Sequence, residues 1–288
     1  MMFESATEPK LLYNLEEDFF DRFNLKKVRL LGKGMAGEVF LTTSRDGSGR
    51  KWAVKLFALD EDVRERNLRH FTTEAGVLQA VSHPHIVPCI MAARCPDYAA
   101  LAMPYYPRGD LGFLHNTQSP TEVHRYMSHV VRGLEHLHRQ NIAHNDLKLE
   151  NVLIDAQNRA HLGDLGLALE VKDASRTALA GLVGGTRKYW SPERSEANTQ
   201  TRIDPFKADI YAFGVMYWVL VSGEGPQQHK DYRDKLADTK LNLSPALRLR
   251  QQKKEDEKER RIERRGRNDS RIRKTLRIDL AQKEKKWI

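Results

Sequence analysis

The chain has 288 residues, 40% of them hydrophobic, which is enough apolar material for one large domain or two modest lobes folding without disulfide or metal staples. No run of about 18 apolar residues offers a membrane span, and Met1-Met2-Phe3-Glu4-Ser5 lacks the basic-then-apolar order of a secretory signal. The net charge of +9 sits in the tail, where from Arg248 onward seventeen Lys or Arg face eight Asp or Glu, so the rest of the chain is neutral, which fits a body with a basic C-terminal appendage better than a basic binding domain.

These properties predict an intracellular protein, cytoplasmic or nuclear, with no membrane partner. The neutral body and the scarcity of aromatics in the tail argue against nucleic acid. The charged stretch Lys253 to Arg267 reads as a solvated face, with nuclear targeting or an acidic partner as the alternative. Cys89 and Cys95 match no zinc spacing and read as reduced structural thiols.

Residues 1–25 carry Glu16-Glu17-Asp18 beside Phe19, Phe20 and Phe23 and suit a short amphipathic lead-in. From Lys26 three β runs follow: Val28 to Leu31, Gly37 to Leu41 and Lys51 to Phe57, with a hairpin signal at Asp46-Gly47-Ser48-Gly49. Residues 60–81 read as a helix with Phe71, Ala75 and Leu78 on one face, ending before His83-Pro84. Ile86 to Ala92 and Ala99 to Met103 read as strands. A short helix over Leu111 to Asn116 precedes a long one over Pro120 to Gln140, with Val123, Met127, Val130, Val131, Leu134 and Leu137 at helical spacing. Short β signals flank Asp155, and an apolar helix spans about Asp209 to Ser222. The fold class is α+β, a small antiparallel sheet with one helix followed by a mainly helical part.

Gly32-x-Gly34-x-x-Gly37-x-Val39 lies between two strands. A dinucleotide-binding unit would open a helix here, so the loop reads as a lid whose glycines let backbone N–H groups approach phosphates. Lys55, on the third strand, shares a face with Ala53, and a lysine in an apolar strand needs a partner. Glu74, on the helix face of Leu78, supplies one and would hold Lys55 extended toward phosphates. In His144-Asn145-Asp146-Leu147-Lys148-Leu149-Glu150-Asn151, Asp146 fits the carboxylate that orients and deprotonates an incoming hydroxyl, and Asn151 an oxygen ligand for magnesium. Lys148 can neutralise charge on a transferred phosphoryl group. Asp164-Leu165-Gly166 supplies a second, acidic magnesium ligand.

Over Lys26 to Gly223 these motifs resemble the eukaryotic-type protein kinase family. The resemblance implies a two-lobed protein-kinase-like fold: a lobe at 26–103 after the 1–25 lead-in, a second at 104–247, and a basic segment at 248–288. It implies ATP in the cleft, magnesium or alternatively manganese, and a protein substrate. Lys55 and Glu74 look like the family's ion pair, Asp146 like its base, Asn151 and Asp164 like its metal ligands. Met103 looks like the gatekeeper, Pro104 to Tyr106 like the adenine-binding hinge, and Asp110 like the ribose contact. Leu31, Val39, Ala53 and Leu153 stand where the family encloses the adenine, with Gly32, Gly34 and Gly37 over the phosphates. Leu78, His144 and Leu165 match the hydrophobic column joining the lobes. Asp209 resembles the helix residue that anchors the catalytic loop, though an N-cap is an alternative reading. Lys148 and Gly185-Thr186 before Tyr189-x-Ser191-Pro192-Glu193 are similar to the serine/threonine branch, and Thr186 would bridge to Asp146 and Lys148.

The sequence departs from the pattern at Asn145, where the family carries an arginine that gathers a phosphorylated activation loop. A neutral amide cannot do so, which predicts activity independent of phosphorylation at Ser175 or Thr177. Leu165 and Ser191 are mild replacements. Beyond Gly223 the usual helical tail is rewritten; Ile272 to Lys283 faintly resembles a late helix, with Lys283 standing where an arginine pairs with Glu193. The competing reading is a pseudokinase or scaffold that binds nucleotide or a partner without turnover. The rewritten tail favours it, and the presence of all four of Lys55, Asp146, Asn151 and Asp164 favours an enzyme.

Overall fold

Alternation along the strands sets the layout of the first lobe. In the computed structural model, which describes residues 12–34, 37–114 and 117–225, strand β4 (Lys51–Ala58) sends Ala53 and Phe57 to one face and Val54 to the other. β6 (Tyr98–Pro104) repeats this, with Ala99, Leu101 and Met103 beside Ala53 and with Ala100 and Ala102 beside Val54. β2 (Leu25–Gly34), β3 (Gly37–Ser44), β5 (Met91–Arg94) and β1 (Leu12–Asn14) complete a sheet of order β1-β5-β6-β4-β3-β2. All its pairings are antiparallel except β1 with β5.

Each face has its own helix. α2 (Arg64–Ala80) buries Phe71, Ala75 and Leu78 on the Phe57 side, as their spacing requires. Phe71 and Leu78, fully buried, contribute roughly 1.5–3 kcal/mol apiece. On the opposite face α1 (Phe19–Arg22) buries Phe19 and Phe20, and the Asp18 carboxylate caps it by accepting from the Phe20 and Asp21 amides. The stretch read as a lead-in thus contributes an edge strand and a helix to this lobe.

Residues 86–90 were expected to be strand and are not: β5 begins at Met91. Pro88 has no N–H to give a ladder. The chain instead crosses to the second lobe, where Val87 donates to the Leu162 carbonyl at 2.7 Å.

The second lobe is mainly helical. α3 (Leu111–Leu114) is short, and α4 (Pro120–Arg139) opens with a capping box between Ser119 and Glu122 and buries Val123, Met127, Val130, Leu134 and Leu137. Val131, expected on that face, lies 41% exposed on its flank. α6 (Pro205–Ser222) packs on α4 and closes at left-handed Gly223. Its N-cap is Asp204, so Asp209 is buried in the second turn and is not the N-cap. Short pairs fill the space between: β7 (Ile142–Ala143) with β10 (Leu169–Glu170), β8 (Val152–Ile154) with β9 (Ala160–Leu162), and β11 (Ala178–Leu179) with β12 (Arg202–Ile203). α5 (Pro192–Glu196) lies between β11 and β12. The two-lobed α+β arrangement is the expected one. No helix among the described residues is long and apolar enough to cross a membrane. The basic segment and Ile272 to Lys283 lie outside the described residues.

Candidate active site

Lys55 reaches from β4 toward α2 because alternation places it on the Ala53 and Phe57 face. Its ammonium donates to Glu74 at 2.7 Å and to Asp164 at 2.7 Å. Burial works to lower its pKa, but the two carboxylates more than offset this and raise it, so the charge is kept. Burial likewise pushes the Asp164 carboxyl up, and the Lys55 ammonium outweighs it and holds the group below its ordinary value. His70, one turn before Glu74 on α2, has its Nδ1 3.0 Å from the Gly166 carbonyl. The sequence reading missed this residue; its i, i+4 spacing from Glu74 is the signal that could have found it.

The glycine loop is the β2–β3 hairpin, and Gly34 pairs with Gly37 across its tip. A Cβ on Gly37 would fall 2.0 Å from the Leu56 carbonyl oxygen, so only glycine lets β3 lie this close to β4. Gly32 faces open space, and a Cβ on Gly34 would make only ordinary contact, 3.9 Å from the Gly37 carbonyl oxygen.

The segment after β7 is fixed from below. The Asp209 carboxylate accepts from the His144 amide at 2.8 Å and the Asn145 amide at 2.9 Å, and His138 Nε2 lies 2.9 Å from it. His144 Nδ1 accepts from the Asp146 amide at 3.3 Å, which assigns the proton to Nε2, 3.1 Å from the Gly163 carbonyl.

Asp146 thereby presents a fully engaged carboxylate. Oδ1 accepts from the Thr186 amide at 2.8 Å and its hydroxyl at 2.7 Å; Oδ2 accepts from Lys148 at 2.7 Å and Asn151 Nδ2 at 3.2 Å. Thr186 reaches this position because Gly185 sits at φ 112, where a Cβ would fall 2.2 Å from the Asn145 carbonyl oxygen. Lys148 also donates to Thr186 Oγ1 at 3.3 Å, the bridge expected from the sequence.

Asn151 Nδ2 donates a second time, to the Asp146 carbonyl at 2.8 Å. Its amide oxygen accepts no hydrogen bond from the described residues, and only one Asp164 oxygen is taken by Lys55. Among the described residues no group of three or more His, Cys, Asp or Glu could by itself hold a metal. Two oxygen donors fit magnesium, which keeps waters and takes substrate phosphates to fill its shell.

Above this, Leu31, Val39 and Leu153 pack half-buried against the cluster that contains Ala53, Met103 and Tyr106. Met103 pairs with Ala53 and Pro104 with Trp52 across β6 and β4. Asp110 bridges to Leu153 and accepts from the Phe113 amide at 2.8 Å. Leu78, His144 and Leu165 are all buried, and Leu78 and Leu165 belong to the one core cluster that also takes in residues of β4 and α4. Every residue singled out in the sequence for this site falls in one unit, Met1–Tyr232.

A family model described as the protein kinase domain matches residues 25–283, reaching past the Gly223 at which the resemblance was read to end. A probable serine/threonine-protein kinase of Dictyostelium discoideum is 32% identical over 207 residues, 70% of this chain and 43% of its own length. RAC-beta serine/threonine-protein kinase A of Xenopus laevis is 30% identical over 209 residues, 71% of this chain and 41% of its own. NUAK family SNF1-like kinase 2 of Homo sapiens is 28% identical over 215 residues, 74% of this chain and 33% of its own. The chain spans less than half the length of each of these relatives.

Proposed function

The chain belongs to the protein kinase domain family, in its serine/threonine branch, and from this premise we propose that it transfers the γ-phosphate of ATP to serine or threonine hydroxyls of a protein, with magnesium or manganese as the metal. The observation that carries the reading is the Asp146 carboxylate, held from four sides and tied to Lys148, Thr186 and Asn151. In this reading Asp146 Oδ2 receives the proton of the acceptor hydroxyl as its oxygen bonds the γ-phosphorus and the bond to the β-phosphate oxygen breaks, releasing ADP. Lys148 balances charge on the transferred group, and Thr186 fixes the carboxylate's orientation. Lys55, held by Glu74, contacts the α and β phosphates beneath Gly32, Gly34 and Gly37. Leu31, Val39, Ala53, Met103 and Leu153 enclose the adenine, the backbone from Pro104 to Tyr106 bonds its edge, and Asp110 bonds the ribose.

Asn151 and Asp164 would hold the metal, whose chemistry is to neutralise phosphate charge. The depressed Asp164 pKa supports that role, because the ligand must be ionised. The reading also holds that the protein acts in the cytoplasm or nucleus. A scaffold without turnover has no use for a buried Lys55 gripped by two carboxylates, which favours the enzyme.

The test is transfer of radiolabelled phosphate from ATP with magnesium to a basic protein, comparing wild type with Asp146→Asn. Incorporation by wild type and its loss in the variant are expected. Equal incorporation by both, or none by folded wild type, overturns the proposal.

A further inference from the structure

Two arginines cross between the segment after Asp164-Leu165-Gly166 and the elements beneath it. Arg202, which opens β12, donates through Nε to Thr177 Oγ1 at 2.8 Å and through Nη2 to the Thr177 carbonyl at 2.9 Å. The same Nη2 contacts the Asp173 carboxylate. Arg176 reaches the other way: its guanidinium lies 4.1 Å from the centre of the Phe206 ring and donates to Asn141 Oδ1 at 3.0 Å. Arg176 sits at φ 55, a left-handed conformation uncommon for any residue but glycine, asparagine or aspartate, and it is held there by these contacts. The second Asp173 oxygen accepts from the Ser175 amide at 2.9 Å, and β11 pairs with β12 immediately afterwards.

We propose that Asp173 and Arg202 form a clasp, written into the sequence, that holds residues 173–186 in the arrangement that receives the substrate without phosphorylation of Ser175 or Thr177. Asp173 supplies the anionic charge that Arg202 grips. The proposal rests on the kinase reading and deepens it, making Arg202 and Asp173 positioning residues. Asn145 carries no charge, and its side-chain amide is committed to the Leu167 carbonyl at 3.0 Å, so it cannot gather a phosphate. Arg202 is the cation that meets Thr177, beside Ser175, and a carboxylate already occupies it; Arg194 meets the same segment further on, at the Ala180 and Val183 carbonyls.

The clasp acts through what it is joined to. Residues 202–209 hold the segment through Arg202 and Phe206 and hold the Asp146 loop through Asp209. One short stretch of chain therefore sets both sides of the Thr186–Asp146 contact. An exposed ion pair is weak taken singly. Here one guanidinium serves three acceptors beside a strand pair, and releasing it loosens the start of the segment that leads to Thr186.

The test uses the full chain, phosphatase-treated and verified by mass as unphosphorylated, with Asp173→Asn, Arg202→Gln and the exchange Asp173→Arg/Arg202→Asp. Hydrogen exchange at the amides of residues 175–179 is read alongside kcat and the separate KM values for a peptide substrate and ATP. Unphosphorylated wild type should turn over and exchange slowly there. Each single variant should exchange about tenfold faster and show a peptide KM raised about tenfold with the ATP KM unchanged. The exchange variant restores the ion pair but not the Thr177 and Ser175 bonds, so it should recover part of both effects, which independent roles of the two residues would not produce. Wild-type exchange rates in Asp173→Asn, or activity appearing only after phosphorylation of Ser175 or Thr177, would overturn the clasp. Inactivity of both phosphorylated and unphosphorylated wild type would instead defeat the kinase reading, while the exchange rates would still decide the clasp.

Discussion

Asn145 donates its side-chain amide to the Leu167 carbonyl at 3.0 Å, tying the residue before Asp146 to the chain just past Asp164-Leu165-Gly166. The bond joins the two segments proposed to carry the base and the acidic metal ligand. Asn145 is nearly buried and has φ 66, a conformation that asparagine tolerates far better than most residues. Asn145→Ala loses the hydrogen bond, worth about 1 kcal/mol, and adds left-handed strain of roughly the same size. Asn145→Gly loses the bond but not the conformation. Both variants should melt below wild type, Ala lower than Gly, and thermal unfolding of the three proteins checks the order.

Lys55→Met would leave Glu74, 1% exposed, as a buried carboxylate without its cation. Removing one partner of such a pair costs about 3–5 kcal/mol at neutral pH. Burial already raises the Glu74 pKa against the pull of the Lys55 ammonium, and without that ammonium it rises further, so the folded variant binds the extra proton more readily and the penalty shrinks as pH falls. Urea unfolding at pH 7 and pH 5 should show the gap between wild type and variant narrowing on acidification. Lys55→Met/Glu74→Gln should recover much of the loss at pH 7, and a gap independent of pH would contradict this account.

The parts of the site legible in the sequence are those set by short spacings. Asp146, Lys148 and Asn151 lie within one loop, and the face of Lys55 follows from strand alternation. Glu74 follows from the helical face of Leu78. The rest depends on contacts that local pattern does not carry. The parallel pairing of β1 with β5 joins a three-residue edge strand to a strand far along the chain. Asp209 read as a helix start because the apolar run begins there, whereas Asp204 and Pro205 set the true start by capping. Pro88 was the local sign that residues 86–90 could not be a strand. Arg202 and Thr177 lie 25 residues apart, and nothing in the periodicity of either stretch links them.

Gly185→Ala should cost activity more than it costs the fold. The new Cβ would meet the Asn145 carbonyl oxygen at 2.2 Å, and φ 112 is closed to alanine. The chain must shift, and Thr186, whose amide and hydroxyl both grip Asp146, shifts with it. A displacement of about 1 Å at a reacting group is worth on the order of 100-fold in rate. The expected result is a kcat lowered by about that factor, with circular dichroism showing wild-type secondary structure. A kcat close to wild type would show that Thr186 does not set the Asp146 carboxylate.

The histidines between the linker after α2, α4 and β9 should make the fold acid-sensitive. His85 and His129 stack with ring centres 4.1 Å apart and planes at 11°, His83 stacks on His136 at 4.9 Å, and His161 lies 6.2 Å from His85. Burial holds His83, His85 and His161 below the ordinary histidine value and pushes His129 down to about 4. Arg125 and Arg132 press the same way on His129, while Asp155 opposes at His161 from 3.1 Å. The unfolded chain protonates these rings near pH 6.5, and the folded chain does so only at lower pH. Between pH 6.5 and 4 the unfolded state therefore binds more protons, and stability is lost as pH falls through that window. His129 is only partly buried, so after screening its share is on the order of 1 kcal/mol. His129→Phe keeps a ring against His85 and cannot titrate. It gives up the acceptor that takes the Ala160 N–H at 3.2 Å, costing about 1 kcal/mol at pH 7. Its unfolding free energy from urea titrations should fall less steeply than wild type between pH 6.5 and 4, and parallel slopes would rule out His129 as the acid-sensitive group.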